Sequence, residues 1–154
     1  MPADPSPTQA SPRRLPPLLR RAWYSLNQVF RQRIGHLGVT PDQYSILRWL
    51  SEGDARGLTQ QTITDLMASD PNTITSTLQR MEKSGLITRN AHESDKRARR
   101  VRVEPEGRRV FAEAFDLAKH LQAEVLGTLP ESRRERFLKD LELLADACAA
   151  AQGK

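Results

Sequence analysis

The segment from Asp70 to Arg80 carries amides, hydroxyls and a guanidinium at helical spacing. If Ile74, Leu78 and Met81 form the apolar stripe of a helix, then Asn72, Thr73, Thr75, Ser76, Gln79 and Arg80 lie on its other side. Asn and Gln side chains make paired hydrogen bonds to adenine, Thr touches a thymine methyl or exchanges a hydrogen bond, and Arg grips guanine or phosphate. A merely solvated helix face would rather carry Glu, Lys and Ala, because small hydroxyl residues are poor helix formers. The helix start also offers amides for phosphate oxygens. The chemistry to expect is base reading in the major groove of duplex DNA.

A second feature lies just downstream. From Lys96 to Arg102 there are five cations in seven residues and no acid. Between Gln79 and Arg109 ten Lys and Arg face five Asp and Glu, an excess of +5 that equals the excess of the whole 154-residue chain. Charge focused beside a reading helix suits phosphate contacts that release counterions. Lys96, Arg97, Arg99 and Arg100 are therefore candidate contacts on a wing, with Thr59 and Gln60 as candidates where the preceding helix begins.

Other chemistry is poorly supported. The chain has no Gly-rich phosphate loop, no HExxH and no GxSxG, so an enzyme is not expected, and neither is a cofactor. His36, His92 and His120 are far apart and read as surface residues rather than metal ligands. Cys148, the one cysteine, excludes an intrachain disulfide and suits a reducing compartment. It falls on an apolar stripe with Leu144 and Ala145, so it reads as a buried, inert hydrophobe, with a redox switch as the lesser reading. No apolar run approaches a membrane span and no secretory signal is visible, so a cytoplasmic protein is expected.

These residues need elements to hold them. Six of the ten prolines fall in residues 1–17, so residues 1–14 are expected to be a disordered tail. The remaining prolines mark helix starts. Thr40-Pro41-Asp42-Gln43 and Thr128-Leu129-Pro130-Glu131 both read as capping boxes, and Asp70 as an acidic cap. Apolar steps of three and four predict a first helix from Leu15 to the Gly35–Gly38 region, a second closed by Gly53 and a short third starting at Thr59. They also predict a fourth from Pro71 closed by Gly85, a long fifth from Pro105 and a sixth to about Cys148. The third and fourth, joined by a tight Ala68-Ser69-Asp70 turn and held by Ile63, Leu66, Ile74, Leu78 and Met81, form a helix-turn-helix. Leu86–Arg89 and Arg100–Val103 read as two short strands of a hairpin. The fold class is mostly α (α+β): a winged helix-turn-helix over residues 40–104, flanked by helices at residues 15–38 and 105–150. These flanking helices carry more apolar surface than a monomer of this size hides, so a twofold dimer is expected.

Leu58-Thr59-Gln60, Asp70–Thr75, Leu78–Ile87, Asp95-Lys96-Arg97 and Gly107 together resemble the MarR family of bacterial regulators, over about residues 15–150. The resemblance implies a dimer of winged helices, with the first, fifth and sixth helices dimerising and the helix from Pro71 reading the major groove. It implies Arg97 in the minor groove, braced by Asp95, a placement that narrow-groove electrostatics also favours. It further implies repression at a pseudo-palindromic operator, and release by a small aromatic or anionic ligand between the dimerisation helices and the DNA-binding lobe. Trp23, Tyr24, His36 and Tyr44 are candidates for that pocket. Two positions depart from the family pattern: Ser76 stands where a basic residue is common, and Glu104 where a Thr cap is usual. Alternatives are a winged helix that binds protein, or a metal- or redox-responsive sensor of the same fold.

Overall fold

A computed structural model describes residues 13–91, 94 and 99–153. The calls on the tail through residue 12, and on His92, Asp95, Lys96 and Arg97, lie outside the described residues.

Helix α1 (Leu15–Ile34) starts on two prolines and runs into a single 3-10 turn, Gly35–Leu37. Only Ile34 of α1 is buried. Helix α2 (Pro41–Glu52) opens on the predicted box: the Gln43 amide donates to Thr40 Oγ1 at 3.2 Å, and the Thr40 amide to Gln43 Oε1 at 3.1 Å. It is the central helix, burying Tyr44, Ile46, Leu47 and Leu50. Strand β1 (Leu58–Thr59) leads into α3 (Gln60–Leu66), and a turn through Ala68 connects α3 to α4 (Pro71–Lys83). Strands β2 (Ile87–Ala91) and β3 (Arg99–Val103) follow, then α5 (Pro105–Leu126) and α6 (Glu131–Ala151).

The sheet has three antiparallel strands in the order β1-β3-β2, with Leu58 opposite Val101 and Arg89 opposite Val101 on the other edge. The hairpin was expected; β1 was not. A two-residue strand is too short for alternation to reveal it, and it exists because β3 offers a free edge. One core joins Ile34, Tyr44, Ile46 and Leu47 to Ile63, Ile74, Leu78 and Met81, then to Val101, Val110 and Ala114. The helix-turn-helix half thus rests on α2 and α5.

Three expectations need correction. Leu66 is 40% exposed, because it ends α3 beyond the α3–α4 contact; Ile63 and the half-buried Met67 pack inward instead. The second capping box does not form. Thr128 Oγ1 donates to the Val125 carbonyl at 2.8 Å, closing α5, and α6 starts after Pro130 with no side-chain cap. Cys148 is exposed, as is nearly all of α6, which buries none of its residues within the chain.

Candidate nucleic-acid interface

Helix α4 is positioned by its apolar stripe and its cap. Ile74, Leu78 and Met81 are at most 2% exposed, so the polar side must face out. Asn72, Thr73, Ser76, Gln79 and Arg80 are exposed. Thr75 is half-buried and committed: its hydroxyl accepts from Gln60 Nε2 at 2.7 Å and donates to the Pro71 carbonyl at 2.8 Å. Gln60 and Thr75 therefore lock α3 against α4. Thr59 caps α3, accepting from the Thr62 amide at 3.1 Å.

The start of α4 also differs from expectation. Asp70 accepts from the Thr73 amide at 2.9 Å and from the Thr73 hydroxyl. An amide assigned to phosphate is thus already used, since a carboxylate cap satisfies it locally. The Thr73 hydroxyl and amide hold the Asp70 carboxyl below the usual range. Arg80 leans back, its guanidinium donating to Thr77 Oγ1 at 3.3 Å.

The basic region sorts into two groups. Arg89 clamps Glu82 with two bonds of 3.2 and 3.3 Å, tying β2 to the end of α4 and lowering the Glu82 pKa. Arg109 pairs with Glu106 and Glu113. Arg100 and Arg102 reach from β3 to the loop before β1, donating to the Gly57 carbonyl at 2.9 Å and the Arg56 carbonyl at 2.6 Å. Arg89, Arg100 and Arg102 brace the lobe, whereas both partners of Arg109 lie on its own helix. Arg80, Lys83 and Arg99 are exposed and make no ion pair among the described residues. Of the wing candidates, Arg99 projects beyond the core near Ala91, whereas Arg100 is half-buried with a structural bond. The bracing by Arg100, Arg102 and Arg89 was missed, because sequence shows charge but not which carbonyl or carboxylate lies in reach.

Gly57 permits that bracing. It sits at φ +96°, and a Cβ there would come 2.2 Å from the Val101 carbonyl oxygen. Next to it Arg56 binds Asp54 through its amide and guanidinium, and these bonds hold the Asp54 carboxyl at about 2. Depressed carboxyl pKa values stabilise the folded chain above the ordinary value, and that contribution is lost as pH falls through the folded value. Thermal unfolding followed by circular dichroism is expected to show a midpoint that is steady near neutral pH and falls as pH drops from 3.8 toward about 2. Asp54→Asn should flatten that fall; a midpoint that rises in acid would contradict the assignment.

The four ligand-pocket candidates are not brought together. Trp23 and Tyr24 are 65% and 64% exposed on α1, and His36 is exposed in the 3-10 turn. Tyr44 is buried between Phe30 and Phe111, with ring centroids 4.9 and 5.7 Å away. Burial pushes its phenol pKa up. Tyr44 is a core residue because α2 lies beneath both flanking helices. A cavity of about 380 Å³ lies elsewhere, among Leu50, Asp54, Gly57, Arg102 and Arg108. Among the described residues no group of three His, Cys, Asp or Glu is placed to hold a metal, and no helix is long and apolar enough to cross a membrane.

This geometry has counterparts. The MarR family model matches residues 39–98, the span from just before α2 to just before β3. The transcriptional regulator HosA of Escherichia coli O127:H6 is 30% identical over 127 residues, covering 79% of this chain and 93% of HosA. The chain belongs to the MarR family. Its fold is that of solved members. Staphylococcus aureus MepR, in a complex with DNA, superposes with a TM-score of 0.81 at 19% identity, over 88% of this chain and 98% of MepR. Mycobacterium tuberculosis MOSR, also in a complex with DNA, gives 0.70 at 26% identity, over 88% and 98%. Within the MarR fold, α3 and α4 are the helix-turn-helix and β2–β3 the wing.

Proposed function

We propose that this MarR-family chain is a non-enzymatic transcriptional regulator that acts in the cytoplasm as a homodimer. It binds a pseudo-palindromic operator in duplex DNA and represses by occupying it. The observation that carries the reading is the exposed amide and hydroxyl face of α4, Asn72, Ser76 and Gln79, beside Arg80, Lys83 and Arg99, exposed cations with no ion pair among the described residues. The amides supply base discrimination; the cations supply the salt-dependent phosphate term. Family membership and the DNA complexes of MepR and MOSR support it. Asp95, Lys96 and Arg97 complete the wing in this proposal, with Arg97 in the minor groove.

The homodimer rests on apolar exposure. Leu18, Trp23, Leu26, Phe137, Leu141 and Leu143 are between 37% and 68% exposed, more apolar surface than a monomer of this size leaves wet. Release by a small ligand is part of the reading, at a site other than a pocket built from Tyr44.

Binding to an operator duplex should weaken steeply as salt rises, and Arg99→Ala should lower the slope of log affinity against log salt by about one. Fluorescence anisotropy across a salt series measures both. Salt-insensitive binding would favour a winged helix that engages protein instead.

A further inference from the structure

The cavity of about 380 Å³ lies between the end of α2, the loop before β1, strand β3 and the start of α5, and no residue of α1 or α6 lines it. Its volume is that of a small-molecule site. The space exists because Gly53, Ala55 and Gly57 give the loop little or no side chain to fill it. Leu50, buried, and Val103, half-buried, give it an apolar side.

The other side is cationic. Arg102 and Arg108 line the cavity, and the carboxylate of Asp54, the one acid that does, is clamped by the Arg56 guanidinium at 2.9 Å. Arg108 makes one long hydrogen bond, 3.4 Å to the Val103 carbonyl, and no ion pair among the described residues. It stands near the start of α5, where the helix dipole disfavours a cation. Its neighbour Arg109 is relieved by Glu106 and Glu113, whereas Arg108 has no such partner. Two guanidiniums facing an apolar wall match a dianion with a compact apolar body. A phosphomonoester carries close to two negative charges at neutral pH, and its oxygens suit the guanidinium fork. The DNA backbone also offers phosphate, but a duplex cannot enter a cavity, so Leu50 and Val103 would gain nothing from it.

We propose that this cavity takes a small phosphomonoester, with the phosphate between Arg102 and Arg108 and the ester body on Leu50 and Val103. Occupancy bears on the wing. Arg102 lies on β3 and donates to the Arg56 carbonyl at 2.6 Å, one of the bonds that tie β3 to the loop before β1. A phosphate that draws the guanidinium off that carbonyl loosens β3 and lowers operator affinity. By linkage the operator lowers ligand affinity by the same factor. The effect on DNA rests on the proposed release by a small ligand; the site itself does not.

Calorimetry of the full-length protein with monobutyl phosphate, inorganic phosphate and butanol tests the site. Monobutyl phosphate should bind roughly tenfold or more tighter than inorganic phosphate, and butanol should give no heat. Arg108→Gln should weaken monobutyl phosphate roughly tenfold or more. Ala55→Phe, which fills the cavity and keeps both guanidiniums, should abolish binding. Circular dichroism confirms that both variants fold, and neither should change the operator affinity or salt slope measured without ligand. Monobutyl phosphate that binds no tighter than inorganic phosphate, or equally to wild type and both variants, would overturn the site and leave release by a ligand elsewhere standing. A salt slope lowered by about one in Arg108→Gln would assign that guanidinium to the DNA backbone and overturn the site as well. Binding that both variants lose, but that leaves operator affinity unchanged, would keep the site and sink its part in release.

Discussion

Gly57→Ala is expected to be the most damaging single-methyl change in the DNA-binding lobe. The added Cβ would sit 2.2 Å from the Val101 carbonyl oxygen and 2.8 Å from Arg102 Cγ, at a backbone φ of +96°. Neither obstacle yields cheaply, since one is backbone in the middle of the sheet. Losing the close approach also releases the Gly57 and Arg56 carbonyls from Arg100 and Arg102. The expected destabilisation is about 3 kcal/mol, a fall of roughly 10 °C in unfolding midpoint for a chain of this size. Gly85→Ala is the control. It also has positive φ, +76°, but nothing lies within 4 Å of its Cβ. It should lose about 1 kcal/mol. Equal effects at the two glycines would mean that the packing of β1 on β3 is looser than described.

The second large effect concerns reading rather than folding. Asn72→Ala and Gln79→Ala each remove one exposed amide from α4 without touching the buried stripe. Each bidentate base contact is worth about 1–3 kcal/mol of discrimination, so each change should weaken operator binding by roughly tenfold or more. Affinity for random duplex should change little, and the salt slope should stay at its wild-type value, because phosphates are untouched. Equal losses on operator and random duplex would make these residues backbone contacts.

Sequence reading was strongest where one residue determines its own local structure. Thr40 with Gln43, Asp70 before Pro71 and Gly85 after α4 define their helix ends by local bonds, and those ends, like the one at Gly53, lie where the spacing put them. It failed where the outcome depended on distant atoms. Strand β1 needs the edge of β3, more than 40 residues away. Thr128 had two local options, capping α6 or closing α5, and the chain reversal between Gly127 and Pro130 selected the second. Arg100 looked like its neighbours in a basic run, yet it lies in reach of the Gly57 carbonyl. Tyr44 looked like a pocket residue because aromatic type says nothing about which rings will cover it. The polar face of α4 was legible because Ile74, Leu78 and Met81 fix its rotation and so fix what faces out. Thr75 alone departs, drawn to Gln60.

The most direct test of the account is selection of bound sequences from random duplex DNA by the full-length protein. The account predicts a twofold-symmetric consensus, with half-site centres about one helical turn apart, that the Asn72→Ala, Gln79→Ala double variant no longer enriches. A pool that stays random under wild-type selection, or a consensus that the double variant recovers unchanged, would contradict the claim that α4 reads the operator.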